Sequence, residues 1–211
     1  MKKFLVLVAV IALVFAYGWA RRPITYPPGV LIESEPKQTN FAPQTPAFAF
    51  HEFSLKPLAR FEADLRVLHS KIYRYDRQSA LVPMDLAVGW GPMSDQRVLD
   101  KLEISQSMRF FWYEYQMPPP IPVDQIICHA TNVHIIPANA ELAAAAKALR
   151  AGTLIHVRGQ LVEATGGKIG TWRSSLSRTD SGNGACELLY LEELSPITAD
   201  PLTQARLVKR Q

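Results

Sequence analysis

Apolar and polar positions alternate most regularly from Phe61 to Val67. Every second residue in this segment is apolar, and each residue between them is charged. This alternation predicts a β-strand with one buried face and one solvated face. The surrounding residues have the same strand character, so we begin the folded domain at Phe48.

Shorter apolar segments follow. The segment 81–95 contains Gly89-Trp90-Gly91-Pro92, which predicts a turn, and 108–116 is rich in aromatic residues, which favour strands. Further strand patterns occupy 124–139, 153–166, 171–178 and 185–194.

One segment, 139–152, has the pattern of an α-helix. Asn139 is a typical N-cap, Glu141 suits the first turn, and Gly152 is typical of a helix end. The leucines and alanines between them form one apolar stripe. We therefore predict one helix between the third and fourth strands.

The predicted order is a long strand, two strands, the helix and two final strands. A five-stranded Greek-key barrel of the OB type has a helix in that position. We expect a mainly β fold over residues 48–195, an OB-like five-stranded Greek-key barrel with one α-helix. The segment around Trp90 is interpreted as an insertion between the first two strands.

The N-terminus differs from the rest. Two lysines precede an uncharged run over residues 4–20, and two arginines follow it. As a helix this run spans about 25 Å, the lower limit for crossing a bilayer. Residues 1–22 are predicted to be a transmembrane anchor, or a signal peptide cleaved after Ala20; a buried helix of a soluble fold is the third alternative. Tyr17 and Trp19 favour the anchor.

Residues 23–47 contain six prolines and no apolar periodicity. This composition predicts an extended tether, or alternatively an N-terminal arm packed over the domain. Residues 196–211 are predicted to form a basic C-terminal tail.

The formal net charge of +4 lies at the chain ends. Residues 23–205 hold 16 basic and 19 acidic residues, a balance of −3. A nucleic-acid-binding domain needs a basic stripe, so we expect no nucleic-acid partner. The basic ends suit anionic lipid headgroups better. No cofactor is expected, because the glycines match no phosphate-binding motif.

Cys128 and Cys186 are the two cysteines. An oxidising compartment favours a disulfide between an even pair, so Cys128–Cys186 is a disulfide candidate. Two free buried thiols are the alternative, and a functional thiol at Cys186 is the third possibility.

The segment 172–187, WRSSLSRTDSGNGACE, concentrates polar residues between two strand patterns. It fits a hairpin braced by ion pairs, or a site for an anionic or polar ligand. The ligand-binding candidates are Asn132, His134, Arg173, Ser174, Ser175, Arg178, Asp180 and Glu187.

The chemistry-bearing residues match no established motif. His129 and His134 are five positions apart and would face opposite sides of a strand, so no metal site is expected. The serines lack the nucleophile elbow of hydrolases. An enzyme would have to use a cluster of His134, Asp180, Glu187 and Cys186.

Four segments, DLAVGWGPMSD, ISQSMRFFWYEY, HATNVHIIPAN and WRSSLSRTDSGNGACE, resemble those of a family of bacterial envelope proteins with an N-terminal membrane segment. The resemblance covers roughly residues 60–193. It implies an envelope location and transfers no activity and no catalytic residues.

The sequence therefore predicts a periplasmic binding or scaffold domain, tethered to the inner membrane through residues 4–20, with an envelope protein as a possible partner. If the segment is cleaved after Ala20, the domain is secreted to the periplasm. The alternative is an envelope hydrolase that uses the His134, Asp180, Glu187 and Cys186 cluster.

Overall fold

The structure is a computed structural model that describes residues 22–177, 179–180, 182 and 184–198, together with residues 8, 12, 15, 18 and 19. Within these residues the strands are β1 (Lys37–Asn40), β2 (Phe48–Phe50), β3 (Phe53–Ile72), β4 (Met84–Gly89), β5 (Leu102–Ser107), β6 (Phe110–Tyr115), β7 (Ala130–Pro137), β8 (Leu154–Gly166), β9 (Gly170–Arg173) and β10 (Glu187–Pro196). The α-helices are α1 (Gln96–Leu99), α2 (Val123–Cys128) and α3 (Ala140–Ala148), and a 3-10 turn covers Gly91–Ser94.

Eight of these strands form one sheet. Its neighbours run in the order β1, β3, β4, β7, β10, β8 and β9; β2 also pairs with β3, and β3 also pairs with β8. The pairs are antiparallel except β7 with β10, which run parallel. The mainly β class is confirmed, and the unit is a large sheet instead of the predicted closed five-stranded barrel.

A segment between β4 and β7, residues 90–129, forms a separate layer on the sheet. It carries α1, α2 and the two-stranded sheet of β5 and β6. We expected only the segment around Trp90 to be an insertion between the first two strands, with 108–116 as the second strand. That expectation is wrong, because 84–89 pairs with β3 while 110–115 pairs with β5.

The single well-marked helix forms where its cap predicts. The Asn139 side chain accepts a hydrogen bond from the backbone N–H of Leu142 at 2.8 Å, which starts α3. The helix ends at Ala148, before Gly152.

The main core lies on one face of the long strands. The apolar residues of the 61–67 alternation are all buried there, together with Met84, Leu86 and Val88 of β4 and Trp90 after it. Burial of this apolar face is the principal stabilising term of the fold.

The Pro-rich segment packs along the domain as an arm. The Ile24 N–H donates to the carbonyl of Ala151 at 2.8 Å, and Ile32 is buried in the main core. Gly152 has a φ of +88°, and a Cβ there would lie 1.9 Å from the Ile24 carbonyl oxygen. Glycine at 152 therefore lets the arm approach the backbone.

Within the described residues, no helix is long and apolar enough to cross a membrane. The predicted membrane segment lies outside them, except for the five isolated positions given above, and the tail lies outside them from residue 199 onward. The anchor and the tail therefore stay predictions.

Candidate functional site

Two neighbouring strands carry polar residues on the face that points away from the main core. In β4 and β7, Asp85 lies opposite His134, and Ala87 lies opposite Asn132. Asp85 is fully buried, and Asn132 and His134 are each 3% exposed. Burying polar groups is costly unless they are hydrogen-bonded, so this face needs partners from elsewhere.

Arg109 is the main partner. Its Nη1 lies 2.9 Å from Oδ1 of Asp85, and its Nε and Nη2 donate to the Asp76 carboxylate at 2.9 and 2.7 Å. The same Asp85 oxygen lies 2.9 Å from Nδ1 of His134. One guanidinium therefore joins two carboxylates, and its two-bond contact with Asp76 fixes its orientation.

The turn between β5 and β6 places Arg109 over the sheet. Met108 and Arg109 are the only residues between the strands, with φ values of 48° and 69°. Positive φ at both positions defines a type I′ turn, which usually contains asparagine and glycine. Such a backbone costs on the order of 1–3 kcal/mol for a non-glycine residue. The ion pairs of Arg109 offset that cost.

Two aromatic rings enclose the guanidinium. Its carbon lies 3.7 Å from the centre of the Tyr73 ring and 6.0 Å from the centre of the Trp172 ring. Burial and the charge of Asp85 raise the pKa of Tyr73, so its hydroxyl stays protonated. Trp172 also lies against His134, with ring centres 4.6 Å apart.

Asn132 makes two further hydrogen bonds to the same hairpin. Its Nδ2 donates to the carbonyl of Arg109 at 3.0 Å, and its Oδ1 accepts from the amide of Gln106. The Oε1 of Gln106 lies 2.9 Å from Nδ1 of His69 on β3. Side-chain contacts therefore hold the β5–β6 hairpin to both β3 and β7.

A cavity of about 410 Å³ opens beside this hairpin. It lies between β6, α2, the start of β7 and the residues Asp180, Gly182, Ala185 and Cys186. Its apolar lining comprises Phe110, Phe111, Trp112, Tyr113, Ile126, Ile127 and Ala130. Its polar lining groups are Thr131, Asn132, Asp180 and Cys186. Small-molecule sites have this size and this mixture of apolar walls and few polar groups.

Cys186 is not an activated thiol. Burial raises the pKa of its thiol to about 11, and the charges of Glu187, Asp85 and Asp180 add to the shift. The Nδ2 of Asn132, 3.8 Å from the sulfur, acts in the opposite direction. A thiol with this pKa is protonated at neutral pH and is a poor nucleophile.

Three predicted ligand-binding residues, Arg173, Ser174 and Ser175, are engaged with other groups of the domain. Arg173 is exposed and its Nη1 lies 2.7 Å from Glu163. The Ser174 hydroxyl accepts from the Leu188 N–H at 3.0 Å. Ser175 donates through its hydroxyl to Asp180 at 2.6 Å. Each of the three side chains is therefore bonded to another group of the protein.

Glu187 and His134 lie on opposite faces of the sheet, because successive side chains of a strand point to opposite faces. Glu187 pairs with Val133, whose side chain lies in the main core, and its carboxylate accepts from the Thr131 hydroxyl. Arg178 lies outside the described residues, so its predicted role stays a prediction. The predicted hydrolase residues thus have different partners: Asp85 for His134, Ser175 for Asp180, Thr131 for Glu187 and Asn132 for Cys186.

Both cysteines are free thiols, so the structure holds no Cys128–Cys186 bridge. Cys128 ends helix α2, where we expected a strand, and Cys186 directly precedes β10. Among the residues that the structure describes, no group of three or more histidine, cysteine or acidic side chains could hold a metal ion.

Sequence reasoning identified Asn132 and His134 but missed Asp85 and Arg109. Asp85 has a local signal, because it is the one charged residue in the strand MDLAVG. Arg109 has none, since its role depends on a turn geometry and on a carboxylate 24 residues away.

A scan of protein-family models finds no match to the chain, and a search of curated proteins also finds none. The resemblance to bacterial envelope proteins therefore rests on the four quoted segments and stays a prediction.

Proposed function

We propose that the protein is a non-enzymatic binding domain of the bacterial envelope, whose ligand occupies the cavity between β6, α2 and the residues that precede β10, Ala185 and Cys186. The cavity is the observation that carries this proposal. Its volume of about 410 Å³ and its aromatic walls suit an apolar group, and the polar groups near Asn132 suit a hydrogen-bonding end.

The strand order supports an OB-like arrangement within the large sheet. The strands β3, β4, β7, β10 and β8 are successive neighbours, and β8 also pairs with β3. Helix α3 lies between β7 and β8, the third and fourth of these strands along the chain. OB domains bind ligands on the face of their second and third strands, which here are β4 and β7. The β5–β6 hairpin covers that face, and the cavity meets it at the start of β7, through Ala130, Thr131 and Asn132.

The fixed position of the β5–β6 hairpin indicates that the binding site is formed before a ligand binds. Arg109 and Asn132 fix the turn that begins β6, and β6 forms one wall of the cavity. A wall held by buried contacts loses little conformational freedom when a ligand binds, and this favours affinity.

An enzymatic function finds less support. The Cys186 thiol is protonated at neutral pH, and the side chain in contact with its sulfur is Asn132, which is not a base. Nucleophilic catalysis needs a nucleophile within hydrogen-bonding distance of a base. The hydrolase alternative is therefore the weaker proposal.

The location is part of the same proposal. Residues 4–20 would hold the domain at the inner membrane, with the cavity in the periplasm and available to an envelope ligand or partner. A fusion of alkaline phosphatase after Gln211 should be active in cells, since that enzyme requires the periplasm. An inactive but stable fusion would contradict the periplasmic location.

A cavity-filling substitution tests the binding site. The probe is N-phenyl-1-naphthylamine, a neutral aromatic molecule whose fluorescence rises in apolar surroundings. Ala185→Trp places a ring in the cavity, and Ala49→Trp adds the same ring at an exposed position on β2.

Saturable probe binding to the wild type and to Ala49→Trp, with at least tenfold weaker binding to Ala185→Trp, is expected. Equal binding to all three proteins, or no saturable binding to the wild type, would overturn the proposed site. Thermal melts of each variant confirm that the fold is retained.

A further inference from the structure

We infer that the ligand of this cavity is an extended polypeptide segment that adds as a strand to the unpaired edge of β6. This inference rests on the proposed function and names the chemical class of the ligand. It follows from the hydrogen-bonding pattern of the β5–β6 hairpin.

The turn fixes which backbone groups of β6 point outward. Ser107 and Phe110 flank the two-residue turn and are register partners. In a type I′ hairpin this flanking pair exchanges backbone hydrogen bonds, and the bonded pairs then alternate along the ladder. Phe110 and Trp112 therefore bond to β5, whereas the N–H and C=O groups of Phe111 and Tyr113 point to the opposite edge.

Nothing in the described part of the chain pairs with that edge. β6 has β5 as its strand partner, and no backbone or side-chain hydrogen bond to the main-chain groups of Phe111 or Tyr113 is present there. Exposed strand edges with unpaired groups are templates for pairing with another chain.

The cavity runs along this edge. Four consecutive residues of β6, Phe110 to Tyr113, line it, although successive side chains of a strand point to opposite faces. A space that touches all four lies beside the strand and not under one face of it. The segment from Phe111 to Tyr115 offers about 14 Å of edge at roughly 3.4 Å per residue.

A polypeptide fits this site better than a small molecule does. An added strand presents donors and acceptors at the spacing of the outward groups of Phe111 and Tyr113, and every second side chain enters the cavity. Ile126, Ile127 and Ala130 add to the apolar lining of the cavity. We therefore expect apolar residues at alternate positions of the bound segment.

The test uses peptides selected from a random phage-displayed library against the folded protein and then resynthesised. Their affinity is measured for the wild type, for Tyr113→Pro and for Tyr113→Leu. Proline removes the outward N–H at a position where an edge strand tolerates it, and leucine removes the aromatic ring but keeps that N–H.

The Tyr113→Pro variant should bind about tenfold more weakly than Tyr113→Leu, the factor expected for one lost hydrogen bond. N-methylation of the peptide at alternate positions should weaken binding in one register and leave the other unchanged. The N-methyl series needs only the wild-type protein, so it decides the question even if Tyr113→Pro fails to fold.

The outcomes separate the two proposals. If N-phenyl-1-naphthylamine binds in the cavity but no peptide is selected, or if selected peptides ignore both changes, the peptide inference is overturned and the proposed cavity site stands. If neither the probe nor any peptide binds at the cavity, both proposals fail.

Discussion

The two faces of β4 and β7 differ in chemistry but not in burial. On the inner face, Leu86 and Val133 are register partners and both pack in the apolar core. On the outer face, Asp85 and His134 are register partners and are buried as deeply. A packed interior is therefore present on both sides of the same two strands, and on the outer side the polar groups lie among buried apolar residues such as Ala87 and Ile136.

The difference shows what each face contributes. The inner face gains free energy from the removal of apolar surface from water. The outer face contributes only where its polar groups find partners, mainly Arg109 and Asn132, and among the described residues Oδ2 of Asp85 has no hydrogen-bond partner. We conclude that the outer face serves to hold the β5–β6 hairpin, and with it the wall of the cavity.

Among the substitutions on the outer face, Arg109→Ala should lower the free energy of unfolding most. Removing the guanidinium leaves Asp85 as a buried carboxylate without its ion-pair partner, so we expect the free energy of unfolding to fall by about 3–5 kcal/mol. That loss would be comparable to the cost of Leu86→Ala on the inner face, about 2–5 kcal/mol.

The matched control for this prediction is Arg173→Ala, whose ion pair with Glu163 is solvent-exposed and should contribute about 0–1 kcal/mol. Denaturant titration measures all three variants. Equal, small effects of the two arginine substitutions would show that the outer face is not held by Arg109.

The Cys186 thiol reports how strongly the cavity lining around it is shielded from water. In a Cys128→Ser background, its alkylation at pH 8 should be about a hundredfold slower in the folded than in the unfolded protein, because its pKa rises from 9.0 to about 11. Because the folded pKa of Cys186 lies above its unfolded value, the thiol's contribution to stability is fully present below pH 9. This contribution is lost as the pH rises through 11.

The pH dependence of the alkylation rate by iodoacetamide measures this pKa. A rate that levels off near pH 9 in the folded protein would mean that water reaches the thiol and that this part of the site is open.

Asp85→Asn should have a smaller effect than the loss of Arg109. Asparagine keeps one oxygen for Arg109 and His134, and Arg109 keeps its ion pair with Asp76, so a loss of about 1–2 kcal/mol is expected. Asp64→Asn is the control, since its contact with His156 is partly exposed. A larger loss for Asp64→Asn would contradict the assignment of Asp85 as the buried centre.

The sequence was informative where local pattern decides the structure. The 61–67 alternation identified the inner face of β3, and Asn139 identified the start of α3, because periodicity and capping act over a few residues. The position of the insertion was predicted wrongly, because the aromatic 108–116 segment and the short 84–89 segment have equal strand character and pairing decides between them.

The candidate site was predicted only in part. Asn132 and His134 do lie on the polar face, but Arg173 points to solvent and Glu187 lies against the core side of β10. Arg109 could not be found, because a single arginine in an aromatic strand pattern does not reveal a turn with positive φ or a distant carboxylate.

The central claim is that the cavity beside β6 is the binding site. Its most direct test is the mapping of backbone amide chemical shifts in the isotopically labelled protein during titration with N-phenyl-1-naphthylamine. We predict that the largest changes occur at residues 110–113 and 126–132, with little change on β1 and β2. Changes confined to the edge strands β1 and β2, with residues 110–113 unaffected, would contradict the account.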